Sequence, residues 1–303
     1  MSPASNRRRA PRRNPISQCL ALLLSSYLLP VAHAADFPPT SNLLDLVGNG
    51  ALRLDGVAGG DATGRSVSGA GDINGDGLDD IAIAAPGADP NGTLSGSSYV
   101  VFGRPGGLDA TLDLGRLNGS NGFRIDGATA GQLSGTPLDS AGDVNGDGID
   151  DLLVGAKPSS AGRGAYVIYG RTSSFPAVLA LADLDGSDGF QIQGRINGVS
   201  AAGDVNGDGF DDLIVASDDP ASNVTGSYST AFVVFGAASA ASAVLNLVDL
   251  DGSNGFRING EPVHFHDYLP LAVDAAGDLD GDDFDDLVIG DPGMDPNGRN
   301  SGS

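Results

Sequence analysis

The chain has 303 residues, enough for one large domain or two ordinary ones, and is 40% hydrophobic with 47 glycines and no tryptophan. The glycines follow no every-third-residue period and apolar runs occur throughout, which excludes a collagen-like chain. A formal net charge of −23 argues against a nucleic-acid or anionic-membrane surface and favours a chain that binds cations or uses charge for solubility.

Residues 1–34 are of a different composition from the rest. Arg7, Arg8, Arg9, Arg12 and Arg13 are followed by "CLALLLSSYLLPV" and then by Ala32-His33-Ala34, a small-x-small cleavage pattern. This is the pattern of a secretory signal peptide, with the mature chain starting near Ala35. The apolar core is shorter than the ~20 residues of a spanning helix, so no transmembrane segment is expected in the mature chain. Paired arginines also suggest twin-arginine export, but the "NPIS" that follows fits that poorly, and general secretion is the better reading. Cys19, the sole cysteine, leaves with this segment. It precedes the apolar run, which argues against lipidation. Five arginines and no acidic residue leave together, shifting the charge from −23 to −28. A secreted domain without disulfides needs another staple.

The remainder repeats. The first unit (about 43–110) carries "LLDLVGNGALRLDG" (43–56), "GDINGDGLDD" (71–80), "DIAIAA" (80–85) and "SSYVVFG" (97–103). The second (111–176) carries "LGRLNGSNGFRIDG", "GDVNGDGIDD", "DLLVGA" and "GAYVIYG" in the same order. The third (177–243) carries "LADLDGSDGFQIQG", "GDVNGDGFDD", "DLIVAS" and "TAFVVFG". The fourth (244–303) carries "LVDLDGSNGFRING", "GDLDGDDFDD" and "DLVIGD", and ends in "DPNGRNSGS", which aligns with "DPNGTLSGS" (89–97) just ahead of a strand. Each unit therefore predicts four short strands. The run leaving each acidic loop is short, continuously apolar and β-branched, as expected for a strand covered on both faces. Turn signals separate the runs and no helical period is sustained. Four strands per unit, repeated, predict an all-β propeller with one sheet per blade. About three and a half blades are expected, an incomplete ring with unpaired edges.

The repeat resembles the FG-GAP repeat of integrin α-subunit propellers and their bacterial relatives. Phe102-Gly103, Tyr169-Gly170 and Phe235-Gly236 stand at the "FG" positions; Ala85-Pro86-Gly87, Ala156-Lys157-Pro158 and Asp291-Pro292-Gly293 approximate the "GAP". The resemblance covers about 43–303. It implies seven blades in a closed ring, and an acidic loop joining the first two strands of a blade that binds calcium.

The loops support that implication on chemical grounds. In D-x-N-x-D-G-x-x-D, positions one, three and five offer side-chain oxygens, position six is a glycine that permits a left-handed turn, position seven offers its carbonyl and position nine a last carboxylate. In the first loop these are Asp72, Asn74, Asp76, Leu78 and Asp80; in the second Asp143, Asn145, Asp147, Ile149 and Asp151; in the third Asp204, Asn206, Asp208, Phe210 and Asp212. The fourth has Asp278, Asp280, Asp282, Phe284 and Asp286, with Asp283 replacing the glycine at a harder turn. Up to four Ca2+ ions are expected. An EF-hand is excluded, because position twelve is Ile83, Val154, Val215 or Ile289 instead of glutamate. Magnesium fits less well, since it keeps its waters. The bland alternative, plain Asx-Gly turns, accounts for the glycines but not for 18 of the 39 acidic residues gathered in four loops.

Catalytic groups are sparse. His264 and His266, with Asp267 beside them, could bind a transition metal on an alternating strand, although an ordinary polar connection explains them as well. No G-x-S-x-G or phosphate-cradling loop occurs. The expected function is therefore a secreted or cell-surface calcium-binding module for adhesion to an extracellular protein or polysaccharide, with the periplasm as the alternative destination. The second reading is a non-catalytic scaffold of an extracellular hydrolase or lyase.

Overall fold

The computed structural model describes residue 47 and residues 51–159, 162–217, 230–238, 242–260 and 271–292. The 1–34 segment, His264, His266 and the 295–303 end lie outside the described residues.

Three sheets repeat one plan. The first runs β2 (Val67–Gly71), β3 (Asp80–Ala85), β4 (Ser97–Val101) and β6 (Gly122–Asp126), antiparallel throughout. The second has β7 (Leu138–Gly142), β8 (Asp151–Ser159), β9 (Gly162–Ile168) and β11 (Gly189–Gln193). The third has β12 (Ile196–Gly203), β13 (Asp212–Ser217), β14 (Thr230–Val234) and β16 (Gly255–Asn259). A hairpin of β17 (Ala272–Gly277) and β18 (Asp286–Gly290) begins a fourth. The acidic loops join the first two strands of each.

Sheets and sequence units are out of phase by one strand. The "GFRID" strand that opens the second unit pairs with β4 of the first, Phe123 opposite Val100, and Phe190 and Phe256 likewise face Val167 and Val233. Each sheet is thus shared by two consecutive units, so the chain itself staples them. The leucine-containing runs ahead of these strands form short strands of their own: β10 (Val178–Ala180) pairs parallel to β6, and β15 (Val244–Asn246) parallel to β11. β1 (Arg53–Asp55) and β5 (Thr111–Asp113) pair in the same manner.

The sheets stack face to face, and side-chain alternation sends successive residues of one strand into different cores. Leu152 and Val154 of β8 pack with Ala82, Val100 and Phe123 of the first sheet, whereas Leu153 packs with Leu213, Val215 and Phe232 of the third. Ile214 of β13 faces the other way, onto Leu287 and Ile289 of the last hairpin. Two buried faces explain why these strands read as continuous apolar runs.

The first strands of the sheets approach one another along a common axis. There the equivalent residues Ser68, Asp139, Ser200 and Asp274 form a chain across four blades. The Ser68 hydroxyl donates to Asp139 at 3.1 Å, and that of Ser200 lies 3.0 Å from both Asp139 and Asp274. Burial raises the Asp139 carboxyl, while the two serines oppose the shift.

Candidate metal centre

Each acidic loop is shaped by its own aspartates. Asp72 accepts the amides of Asp76 and Gly77 at 2.9 and 2.7 Å, and Asp76 accepts that of Leu78 at 3.0 Å. Asp143 holds Asp147 and Gly148 in the same manner, as Asp204 holds Asp208 and Gly209. Asn145 and Asn206 accept the amides of Asp147 and Asp208, both at 2.9 Å. The result is a tight arc whose rim, at Asp76, Asp147 and Asp208, is exposed while its base is not.

The ninth position forms that base. Asp80, Asp151 and Asp212 are at most 2% exposed. One oxygen of each accepts the amide of the loop's second residue: Ile73, Val144 or Val205. The other accepts the amide of the glycine that follows the aromatic at the end of the third strand, Gly103, Gly170 or Gly236, at 2.7 to 2.8 Å. The acidic loop and the "FG" dipeptide, distinct motifs in sequence, are therefore two halves of one structure. Burial raises Asp80 to about 7; the Gly103 amide opposes the shift and the Asp76 and Asp72 charges add to it. Asp151 rises to about 8 and Asp212 to about 7 for the same reasons. None of the three has an ion-pair partner among the described residues; the pairs Arg53–Asp55, Arg104–Asp109, Arg116–Asp113 and Arg124–Asp126 all lie elsewhere.

Oxygen donors around a buried carboxylate are the surroundings that a hard divalent cation prefers, and among the described residues the three carboxylates that converge closely enough to share an ion are those of the fourth loop. The fourth loop is more open. Its Asp278, Asp280 and Asp286 each bring a carboxylate oxygen to within 4.8 Å of the others. Asp283 adopts φ +73°, the left-handed turn taken by Gly77, Gly148 and Gly209 at +88° to +95° in the other loops.

Two roles were not apparent in the residue pattern. Besides their proposed carbonyls, the position-seven residues use their side chains between blades. Ile149 lies against Gly75, and a Cβ on Gly146 or Gly207 would fall on the ring of Phe210 or Phe284. The eighth residue also reaches across: Asp150, Asp211 and Asp285 accept the amides of Asp72, Asp143 and Asp204 of the preceding loop, each at 2.8 Å. The signal was present as an Asp-Asp doublet closing every loop.

Stacked antiparallel sheets that meet at their first strands, each with an acidic hairpin loop at the same corner, define a β-propeller of repeated blades. The chain carries three FG-GAP repeats, matched at residues 63–101, 139–169 and 197–231. It is similar to integrin alpha-PS2 of Drosophila melanogaster, 31% identical over 156 residues, covering 48% of this chain and 10% of that protein. Integrin alpha-6 of Gallus gallus is 29% identical over 152 residues, covering 48% and 12%. The phosphatidylinositol-glycan-specific phospholipase D of Mus musculus is 32% identical over 158 residues, covering 48% and 17%. The chain thus spans less than a fifth of the length of each of these relatives.

Proposed function

We propose that the chain is a calcium-stabilised interaction module, exported by its 1–34 signal peptide and acting outside the cytoplasm in adhesion to an extracellular protein or polysaccharide. The observation that carries the calcium reading is the buried ninth-position carboxylate, repeated at Asp80, Asp151 and Asp212 with other acids nearby and no ion-pair partner among the described residues. Uncompensated buried charge is costly, and a bound divalent cation would neutralise it. Positions one, three, five, seven and nine of each loop would hold the ion: Asp72, Asn74, Asp76, Leu78 and Asp80 in the first, and their counterparts through Asp286 in the fourth. Isothermal calorimetry of the ion-free protein should then give three to four calcium ions bound; no heat and no bound calcium would sink the reading.

Adhesion rests on similarity to two integrin α chains. Binding to an array of extracellular glycans and matrix proteins, lost on chelation, is the expected result. The similarity to a phospholipase D supports the second reading, a non-catalytic scaffold within a secreted hydrolase. Reproducible turnover of a lipid, ester or polysaccharide by the purified chain would displace both.

A further inference from the structure

The acidic loops are joined to one another. Asp150 of the second loop accepts the amide of Asp72 in the first, Asp211 of the third accepts that of Asp143 in the second, and Asp285 of the fourth accepts that of Asp204 in the third, each at 2.8 Å. The partners are 78, 68 and 81 residues apart and always in adjacent blades. At the later two junctions the backbone returns the bond, Asp211 N–H donating to the Asp143 carbonyl and Asp285 N–H to that of Asp204, both at 3.1 Å. The glycine just before each donating amide is part of the arrangement. Gly71, Gly142 and Gly203 hold φ of +64° to +72°, and a Cβ on any of them would collide with the incoming carboxylate. Three repetitions of one contact, each with its clearance glycine, make this a built junction.

We infer that Asp150, Asp211 and Asp285 are positioning residues that hold the first ligand residue of the preceding loop from the following blade, so that neighbouring cation sites are coupled. The coupling rests on the calcium reading above. Asp72, Asp143 and Asp204, whose amides donate to the latch, are also the residues whose carboxylates organise their own loops. The latch carboxylates Asp150, Asp211 and Asp285, which accept these bonds, stand immediately before Asp151, Asp212 and Asp286, the closing residues of their own loops. An ion that orders one loop fixes its Asp-Asp doublet, and with it the carboxylate aimed at the loop before. Coupling of this kind is reciprocal: occupancy of either loop raises the affinity of the other. Asp79, the same residue in the first loop, accepts no such bond among the described residues, which makes it a charge-matched control.

The test uses the full chain, calcium as the only ligand, and the variants Asp211→Ala, Asp211→Asn and Asp79→Ala. Asparagine keeps an acceptor oxygen and loses the charge; alanine loses both. Calorimetry of Asp211→Ala should show one site weakened about tenfold, which is about 1.4 kcal/mol, with the stoichiometry kept. Hydrogen exchange should assign that site to residues 142–151, where half-protection moves to about tenfold higher calcium. Asp211→Asn should stay within about twofold of the wild type, and Asp79→Ala should leave the 142–151 loop unchanged. Equal weakening by Asn and Ala would mean a through-space charge effect and overturn the inference, as would no weakening by either. Failure of the calcium reading is distinguishable, because then the wild type binds no calcium. The latch is in that case judged by the Asp143 amide of the ion-free protein, which should exchange about tenfold faster in Asp211→Ala and not in Asp211→Asn; equal exchange in all variants overturns it.

Discussion

Asp151 shows how a single carboxylate is tied to the ion it would serve. It is fully buried, accepts two amides, and has Asp143 and Asp147 as charged neighbours, so it rises from an ordinary 3.8 to about 8. Its folded value lies above its unfolded one, so the native state binds the extra proton. The stability this contributes is fully present below about pH 4 and is lost as pH rises through about 8, with Asp80 and Asp212 following through about 7. The ion-free protein should therefore melt at progressively lower temperature from pH 5 to 8.5. Calcium should flatten that slope and release protons on binding at pH 7, which calorimetry in buffers of different ionisation heat would detect; a pH-independent ion-free melt would refute it. At the loop rim, Asp147→Ala should remove about one bound ion. Asp109→Ala, which breaks only an exposed pair to Arg104, should remove none. Asp283 occupies a left-handed turn that L-residues other than glycine resist. Asp283→Gly should stabilise the ion-free chain by about 1 kcal/mol in urea denaturation, whereas a loss of stability would mean that the Asp283 carboxylate contributes more than its backbone strain costs.

At the scale of elements, strands and loops were legible in the sequence, and the way they join was not. The "DLLVGA" and "DLIVAS" runs announce strands buried on both faces, because each residue is apolar whichever core it enters. The acidic loops are legible because their donors are local, within nine residues. The partnership of Asp150 with Asp72 spans 78 residues, and no local spacing encodes it. The phase of the sheets is hidden for the same reason, since "GFRID" reads as a strand whether it opens one blade or closes another. The parallel strand Val178–Ala180 is three residues long, too short to show a period. The packing of the aromatics becomes intelligible only with the fold. Phe102 of the "FG" dipeptide lies 5.9 Å from Phe123 and from Phe175 of the next blade, Phe123 and Phe175 stack at 4.3 Å, and Arg171 caps the Phe175 ring. The axial chain is similarly a tertiary product. Asp139→Ala should cost about 1–3 kcal/mol in urea denaturation by removing the acceptor shared by Ser68 and Ser200, with calcium stoichiometry unchanged. A change in stoichiometry would link the axis to the loops.

For the whole molecule, the balance between charge repulsion and ion binding sets the stability. The chain is strongly acidic and its four loops hold 18 of the 39 acidic residues. Carboxylates about 4 Å apart repel by roughly 1 to 4 kcal/mol per pair, depending on local dielectric. A ligand that binds only the folded state adds RT ln(1 + [L]/Kd), about 2.7 kcal/mol per site at a hundredfold excess over Kd. Three or four such sites would rival the 5–15 kcal/mol that holds an ordinary domain together. The loops sit at the corners where consecutive sheets meet, with Asp211 and Phe210 of one blade resting on Asp143 and Gly146 of the blade before. An ion in one loop should therefore stiffen a boundary between sheets as well as a hairpin. The melting temperature should climb steeply with calcium, much less with magnesium, and the transition should sharpen as the blades begin to unfold together. In chelator the same chain should melt over a broader range, blade by blade, as repeat arrays do when their interfaces weaken. Differential scanning calorimetry decides this through the ratio of van't Hoff to calorimetric enthalpy, which should approach one with calcium and fall without it. A ratio that is the same in both conditions would mean that the ions, if bound, leave the blade boundaries as they were.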